Sequence, residues 1–271
     1  MGDKNILPLH IHHIPSESSS SSAFVPSKQS LSGTSTTRLF QTQSASTQIV
    51  TADINVAVLG GGNVGSILAQ KLKQSNKFAS VTIAARNPQK TSTEIKDKGL
   101  DIDVAAMDVL PKSQVVILAT PGLYDDREMK QFCKSLGDMS GVVIIDATNP
   151  LGPYDNGLQS RIWEEGISSG EKLQKLLPTA KVYKSFNTVG LEHMKEALGK
   201  DMLLAGCPDP VPRRIAEEVV RGVGFKPFYV GPIRYARNLE ALAEMWIHMG
   251  IPGLGGRETG RNFWFSISGD P

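Results

Sequence analysis

Gly60-Gly61-Gly62-Asn63-Val64-Gly65 carries the plainest chemistry in the chain. Its G-x-G-x-x-G spacing follows the apolar run NVAVL and opens a stretch with helical periodicity. In that setting Gly60 permits a tight turn, Gly62 lets backbone approach a pyrophosphate, and Gly65 lets a helix pack closely on a strand. Free N–H groups at the helix start, around Asn63 and Val64, would hold the phosphates in the favourable field of the helix dipole. About twenty residues further on, a dinucleotide-binding chain usually shows a carboxylate for the ribose hydroxyls. Here the second strand runs instead into Ala84-Ala85-Arg86, with Lys90 on the following turn. A guanidinium at that place can fork onto a 2′-phosphate and Lys90 can add a point charge, so the expected coenzyme is NADP(H) rather than its unphosphorylated twin.

Other strand ends carry groups suited to a second ligand. Thr120-Pro121 follows the fourth apolar run, where a proline would end the ladder against the nucleotide. DATNPLG puts Asn149 after the fifth run, and KSFNTVG puts Asn187 and Thr188 after the sixth. Their amide and hydroxyl groups could orient a carboxamide or the polar edge of a ring. No side-chain dyad stands out as a catalytic acid and base, so no catalytic residue is assigned. His193 and His248 lie in helical stretches and read as surface residues. No metal site is expected: Cys133 and Cys207 are far apart at no ligand spacing and read as buried thiols of a reducing compartment. His10, His12 and His13 sit in a tail that supplies no geometry.

The elements that must position these groups alternate. NVAVLG, SVTIAA, LDIDVA, SQVVILAT and GVVIIDAT read as buried strands, the third weaker than the rest. Val64, Ile67, Leu68 and Leu72 form the stripe of an amphipathic helix, and Asp126 to Leu136 is helical. Ser168-x-x-Glu171 is a capping box opening a short helix that stops at Pro178. KVYKSF and DMLLAGC are further strands, Pro210 to Val223 a helix, FKPFYV a short strand, and Tyr235 to Met249 a last helix with Leu239, Leu242, Ala243 and Trp246 on one face. Strands alternating with helices imply right-handed crossovers, hence an α/β fold: a doubly wound parallel sheet of Rossmann type with a small C-terminal α/β extension.

The 271 residues suffice for one good core and a small lobe. The net charge of +2, with no basic run interleaved with aromatics, argues against nucleic acid as a partner. No apolar stretch approaches a bilayer span. Residues 1–53 differ from the rest: Ser18 to Ser22 is unbroken serine, and Ser and Thr stay dense through Thr47. Such a segment reads as a disordered extension, or as an organelle transit peptide, though its basic residues (Lys4, Lys28, Arg38) are few. MGDKNI fails the myristoylation pattern at Ile6. The expected division is 1–53 extension, 54–190 NADP-binding Rossmann domain and 191–271 small C-terminal lobe with a Gly-rich tail. The expected location is cytoplasmic, or plastid or mitochondrial should the leader be a transit peptide. A homodimer is compatible with this reading.

GGGNVGSILAQKL, AARNPQK, ATP, KSFNTVG and GPIRYARNLEALAEMWIHMG together resemble the deazaflavin-dependent NADP oxidoreductases, over roughly Asn55 to Gly256. The same module is found in six-transmembrane metalloreductases. The resemblance implies NADPH held by Asn63, Val64, Arg86, Lys90 and Pro121. It also implies a flavin or deazaflavin ring, as substrate, against the nicotinamide near Asn187, Thr188 and Gly253-Leu254. The tail RETGRNFWFSISGDP and the leader depart from the family's pattern, and the long loop from Pro150 to Ser169 is placed to reshape the pocket. Coenzyme binding therefore transfers further than the identity of the small-molecule electron acceptor.

The reading that results is hydride transfer between NADP(H) and a flavin-like or other small acceptor, in which the protein mainly positions two rings. One rival is a carbonyl or imine reductase of the hydroxyacid-dehydrogenase or pyrroline-carboxylate-reductase kind. Those enzymes need a large helical domain, and only about 80 residues follow Asn187. Lys184-x-x-Asn187 resembles their Lys–Asn pair superficially, at a strand end and one residue short. The other rival is a non-catalytic NADPH sensor whose tail, with Trp264, meets a partner.

Overall fold

The computed structural model describes residues 50–154, 157–160, 166–250 and 260–268. Its apolar runs form β1 (Asn55–Leu59), β2 (Ser80–Ala84), β3 (Asp103–Ala105), β4 (Val115–Leu118) and β5 (Val143–Asp146). Between them lie α1 (Asn63–Ser75), α2 (Pro88–Asp97) and α3 (Asp126–Ser135). Local chemistry fixes the helix starts. Asn87 caps α2 by accepting from the Lys90 N–H, with Pro88 at its first position, and Asp125 caps α3 by accepting from the Glu128 N–H. α4 (Ser169–Leu176) carries the capping box expected from Ser168 and Glu171.

β8 (Lys181–Lys184), β9 (Asp201–Gly206) and β10 (Lys226–Gly231) complete one eight-stranded sheet in the order β10-β9-β8-β5-β4-β1-β2-β3. α5 (Leu191–Lys195), α6 (Pro210–Val223) and α7 (Ala236–Gly250) flank its later half. The sheet is parallel from β3 to β8, but β9 runs antiparallel to β8, and β10 parallel to β9. The C-terminal strands therefore join the first sheet rather than building one of their own. The sixth apolar run is also shorter than its sequence suggests, ending at Lys184. Inside the stretch read as a long loop, β6 (Leu151–Tyr154) and β7 (Gly157–Ser160) pair as an antiparallel ribbon.

Strand alternation divides the core between the two faces of the sheet. Val56 and Val58 point to a layer containing Leu68, Leu72, Val219 and Val220 from α1 and α6. Ala57 and Leu59 point to the opposite layer, with Met129 and Cys133 of α3 and Leu173 of α4. Leu68 and Leu72 are fully buried, so truncating either to alanine would cost about 2–5 kcal/mol. Val64 and Ile67, at the edge of the α1 stripe, are half-buried, and Gly65 and Ser66 are the buried residues at that end. Residues 260–268 fold back over α5 and α7. The Trp246 Nε1–H donates to the Phe263 carbonyl at 2.9 Å, and the Ile267 N–H donates to Asp201 at 3.0 Å.

Candidate functional site

The glycine turn is built as its spacing requires. Gly60 lies at φ +114°, and a Cβ there would meet the Ala119 carbonyl oxygen at 2.7 Å. A Cβ on Gly65 would fall on the Gly60 carbonyl oxygen, so α1 crosses β1 at a distance only glycine allows. Gly61 faces the Thr91 methyl of α2. Gly62 differs: it is the N-cap of α1, takes no side-chain cap, and a Cβ there would meet nothing within 4 Å. Open space thus lies before the first turn of α1, where Asn63 and Val64 begin the helix and its first amides have no intrahelical acceptor. A diphosphate fits such a cradle.

Arg86 lies two residues past the end of β2, exposed, with no hydrogen bond or ion pair to any described residue. Lys90, one turn into α2, is exposed and only 3.8 Å from Glu94, so both cations remain available to an anion. Thr120 and exposed Pro121 follow β4. A Cβ on Gly122 would fall on the Asn149 carbonyl, so the loops after β4 and β5 meet backbone to backbone.

Asn149 and Asn187 come together across those strand ends. The Asn149 amide donates to the Asn187 carbonyl at 3.1 Å, and the Asn187 amide donates to Asn149 Oδ1 at 3.2 Å and to the Leu239 carbonyl at 3.0 Å. These partners fix the orientation of the Asn187 amide and leave its buried Oδ1 without a partner. Thr188 beside it is buried. Phe186 sits at φ +64°, a conformation unusual for a bulky side chain, and is buried with its N–H 3.3 Å from Met202 Sδ. Gly253 and Leu254 lie outside the described residues, as do His10, His12 and His13.

The sequence reading missed a buried charge cluster beneath this pair. Asp146 and Lys184 are register partners at the ends of β5 and β8, and Glu240 reaches them from α7. Their side chains are 2 %, 0 % and 2 % exposed, so none is solvated from outside. The Lys184 ammonium donates to Asp146 Oδ2 at 2.9 Å and the Thr148 carbonyl at 2.6 Å, and lies 3.1 Å from Glu240 Oε1. Asp146 Oδ1 accepts from the Thr148 N–H and hydroxyl, while Glu240 accepts the Ser169 and Gly170 N–H groups at the start of α4. Burial disfavours the Lys184 charge, but the Asp146 and Glu240 carboxylates outweigh it and hold the ammonium above the ordinary lysine range. Burial and then the Asp146 charge push the Glu240 carboxyl up, against Lys184 and the two amides. Removing one partner of such a cluster costs about 3–5 kcal/mol by leaving a buried charge unpaired.

Asp146, Thr148 and Ser169 line a narrow cleft together with Thr120 and Pro121. A hollow of about 380 Å³ beside Lys181 and Cys207 is larger, but it opens at the other end of β8, away from the parallel strand ends. The cleft at the strand ends is where open α/β sheets place ligands. Among the described residues no cluster of His, Cys, Asp or Glu is arranged to hold a metal, and no helix is long and apolar enough to cross a membrane.

His193 corrects its surface reading. It is 3 % exposed, with its ring 5.1 Å from that of Trp264 and its Nε2 unpartnered, because residues 260–268 cover α5. Cys133 is buried, as expected of an inert thiol, and burial pushes it up to about 11. Cys207 is only half-buried.

Residues 55–150 match the family of NADP oxidoreductases that are coenzyme F420-dependent. The chain is accordingly an NADP-dependent oxidoreductase in class. Among solved structures it resembles an inferred F420-dependent NADP-reductase from Arthrobacter sp. FB24, at 25% identity and a TM-score of 0.63 over 79% of this chain and 99% of that one. A hypothetical protein from Sinorhizobium meliloti follows at 23% identity and TM-score 0.54, over 68% and 88% of the two chains. A reductive aminase from Aspergillus terreus, solved with NADPH and ethyl-5-oxohexanoate, shares 18% identity and a TM-score of 0.50 over 72% of this chain and 61% of that one. The last two show the fold alone. Comparison with curated proteins finds no match.

Proposed function

We propose that the chain passes hydride between NADP(H) and a flavin-like ring or another small electron acceptor. The observation that carries this reading is the pairing of an open, amide-lined cradle at Gly62 with an unpartnered Arg86 at the end of the next strand. The α1 amides would hold the diphosphate, Arg86 and Lys90 the 2′-phosphate, and Thr120 and Pro121 would border the ring. When bound, the coenzyme supplies the hydride. The protein's part is to orient the two rings and exclude water between them. Asn187 and Asn149 offer a rigid amide edge at the ring end. The name of the Arthrobacter protein supports a deazaflavin as one acceptor to test.

The imine or carbonyl reductase reading needs a proton donor at the acceptor. Lys184 is its sequence candidate, yet its three N–H bonds are matched by Asp146, Thr148 and Glu240 in a fully buried site. NADPH oxidation should be measured with deazaflavin and FMN, then quinones, ferric and cupric chelates, and cyclic imines. Turnover is expected with a ring or metal-chelate acceptor. Turnover confined to imines would replace this reading with the reductase one. Tight NADPH binding without turnover on any acceptor would make the protein a sensor.

A further inference from the structure

The neighbours of Asn187 decide which end of its amide faces which way. The Leu239 carbonyl of α7 can only accept, so the Asn187 nitrogen lies on that side and donates to it at 3.0 Å. The other N–H goes to Asn149 Oδ1 at 3.2 Å. Asn149 is fixed by the same logic, since its own nitrogen meets the Asn187 backbone carbonyl, another pure acceptor, at 3.1 Å. Neither amide can turn over without setting oxygen against oxygen. The Asn187 Oδ1 is left as a buried acceptor with no hydrogen-bond partner, on a side chain only 5 % exposed. Buried acceptors are nearly always paired in folded proteins, so an unpaired one at a ligand-binding end of a sheet calls for a reason.

The backbone just before it is a second, independent sign. The Ser185 N–H still donates to the Asp146 carbonyl at 3.2 Å, continuing the ladder between β8 and β5. At Phe186 the chain leaves that line through φ +64°, where a bulky side chain is strained. The surroundings hold it there: its N–H donates to Met202 Sδ of β9, and its buried ring packs 6.2 Å from that of Phe225. Strain of this kind collects where a fold has a ligand to meet. The place is also the right one. A Cβ on Gly122 would fall on the Asn149 carbonyl, so the asparagine pair adjoins the loop of Thr120 and Pro121, proposed above to border the nicotinamide.

A lone acceptor takes a donor and rejects another acceptor. The carboxamide on the nicotinamide ring carries both kinds of group, an oxygen and an NH₂, and only the NH₂ suits this atom. We propose that Asn187 Oδ1 accepts one N–H of the nicotinamide carboxamide, making Asn187 a specificity residue that demands a donor at that point of the coenzyme. Held by its carboxamide, the ring cannot turn about the bond to its ribose, so one face of it meets the acceptor. This inference rests on the function proposed above, and it is tested by binding rather than turnover.

Calorimetric dissociation constants should be measured on the full chain for NADP⁺ and for its 3-acetylpyridine analogue, in which a methyl group replaces the carboxamide NH₂. The two share every phosphate, so their ratio isolates the one donor. The parent should prefer NADP⁺ by about tenfold, the worth of satisfying a buried acceptor. Asn187→Ala removes the oxygen and should bring the ratio close to one. Asn187→Leu does the same at nearly constant size and carries the comparison should the alanine variant fail to fold. A variant that weakens both ligands alike and keeps the parent's ratio would overturn the proposal, because a purely structural role moves the two together. A parent that binds both ligands equally would overturn it while leaving the functional reading in place. A parent that binds neither would overturn the functional reading, and this inference with it.

Discussion

Gly62→Ala separates folding from binding at a single carbon. Gly62 sits at φ −67° and ψ −170°, a conformation open to alanine, and an added Cβ would meet nothing within 4 Å. Two effects on stability oppose each other. Removing a glycine lowers the entropy of the unfolded chain, worth about 0.4–1 kcal/mol, while alanine is a poorer N-cap by about as much. The net change should stay within about 1 kcal/mol, or roughly 4 °C in Tm for a domain of this size. Binding should not be spared. The methyl group occupies the space in front of the α1 amides, and losing one charge-assisted bond to a phosphate costs about 1.5–3 kcal/mol, a ten- to hundredfold loss of affinity. Gly65→Ala is the contrasting control, since its Cβ lands on the Gly60 carbonyl and must push α1 off β1. Differential scanning calorimetry and NADPH titration of both variants decide the matter. A Gly62→Ala protein that keeps its Tm and binds NADPH as tightly as the parent would show that the phosphates do not sit in this cradle.

Arg86→Ala should leave the melt unchanged, because the side chain is exposed and touches no described partner. It should reduce the preference for NADPH over NADH by about ten- to a hundredfold, the worth of a charge-assisted bond. Paired affinity measurements check this, and a variant as selective as the parent refutes the placement of the 2′-phosphate. His193 makes a pH prediction. Burial first, and then the nearby Lys200, hold its imidazole below the usual 6.5, against the Arg261 backbone, Glu192 and Glu196. The folded state therefore binds this proton less readily than the unfolded one, so stability falls as pH drops below about 6.5 toward the folded-state value. Since the Trp264 ring lies tilted 5.1 Å from that of His193, the loss should register in tryptophan fluorescence as well as in Tm, and His193→Gln should flatten it. Equal slopes in parent and variant would count against the assignment.

The first half of the fold was legible because most of its strands are dominated by apolar residues and α2 and α3 carry capping residues at their starts. Pro210–Val223 needed only Pro210 and the glycine after Val223 to be bounded. The reversal of β9 was not legible. A buried strand reads alike in either direction, and direction depends on where the intervening chain crosses the sheet. The ribbon of β6 and β7 escaped because its four-residue strands contain Gly152 and Pro153, residues that ordinarily argue for a loop. At the site, the glycine turn and Arg86 could be read from spacing alone. The Asn149–Asn187 pairing could be suspected only from their places at two strand ends. The charge cluster did leave a trace: Asp146 closes the apolar run VVII, and Lys184 closes a strand that also carries Tyr183. Charges at the inner ends of buried strands need partners, but the partner, Glu240, lies 56 residues beyond Lys184 on a helix whose exposed face gives it no distinction.

On the proposed reading, the strand ends offer two distant sets of groups to the two ends of one coenzyme. Arg86 and Lys90 follow β2, and the Asn149–Asn187 pair begins beyond β5, three strands away in the sheet order. At the usual spacing between strands that separation is about 14 Å. An extended NADP molecule carries its extra phosphate at one end and its carboxamide-bearing ring at the other, so cations beyond β2 and a fixed amide pair beyond β5 select the same orientation twice. The first contact is solvent-facing and will weaken with salt, whereas the second is buried and will not. Raising ionic strength should therefore erode the discrimination between NADPH and NADH while leaving the affinity lost in Asn187→Ala nearly constant, a difference in behaviour that a single shared patch of charge could not produce.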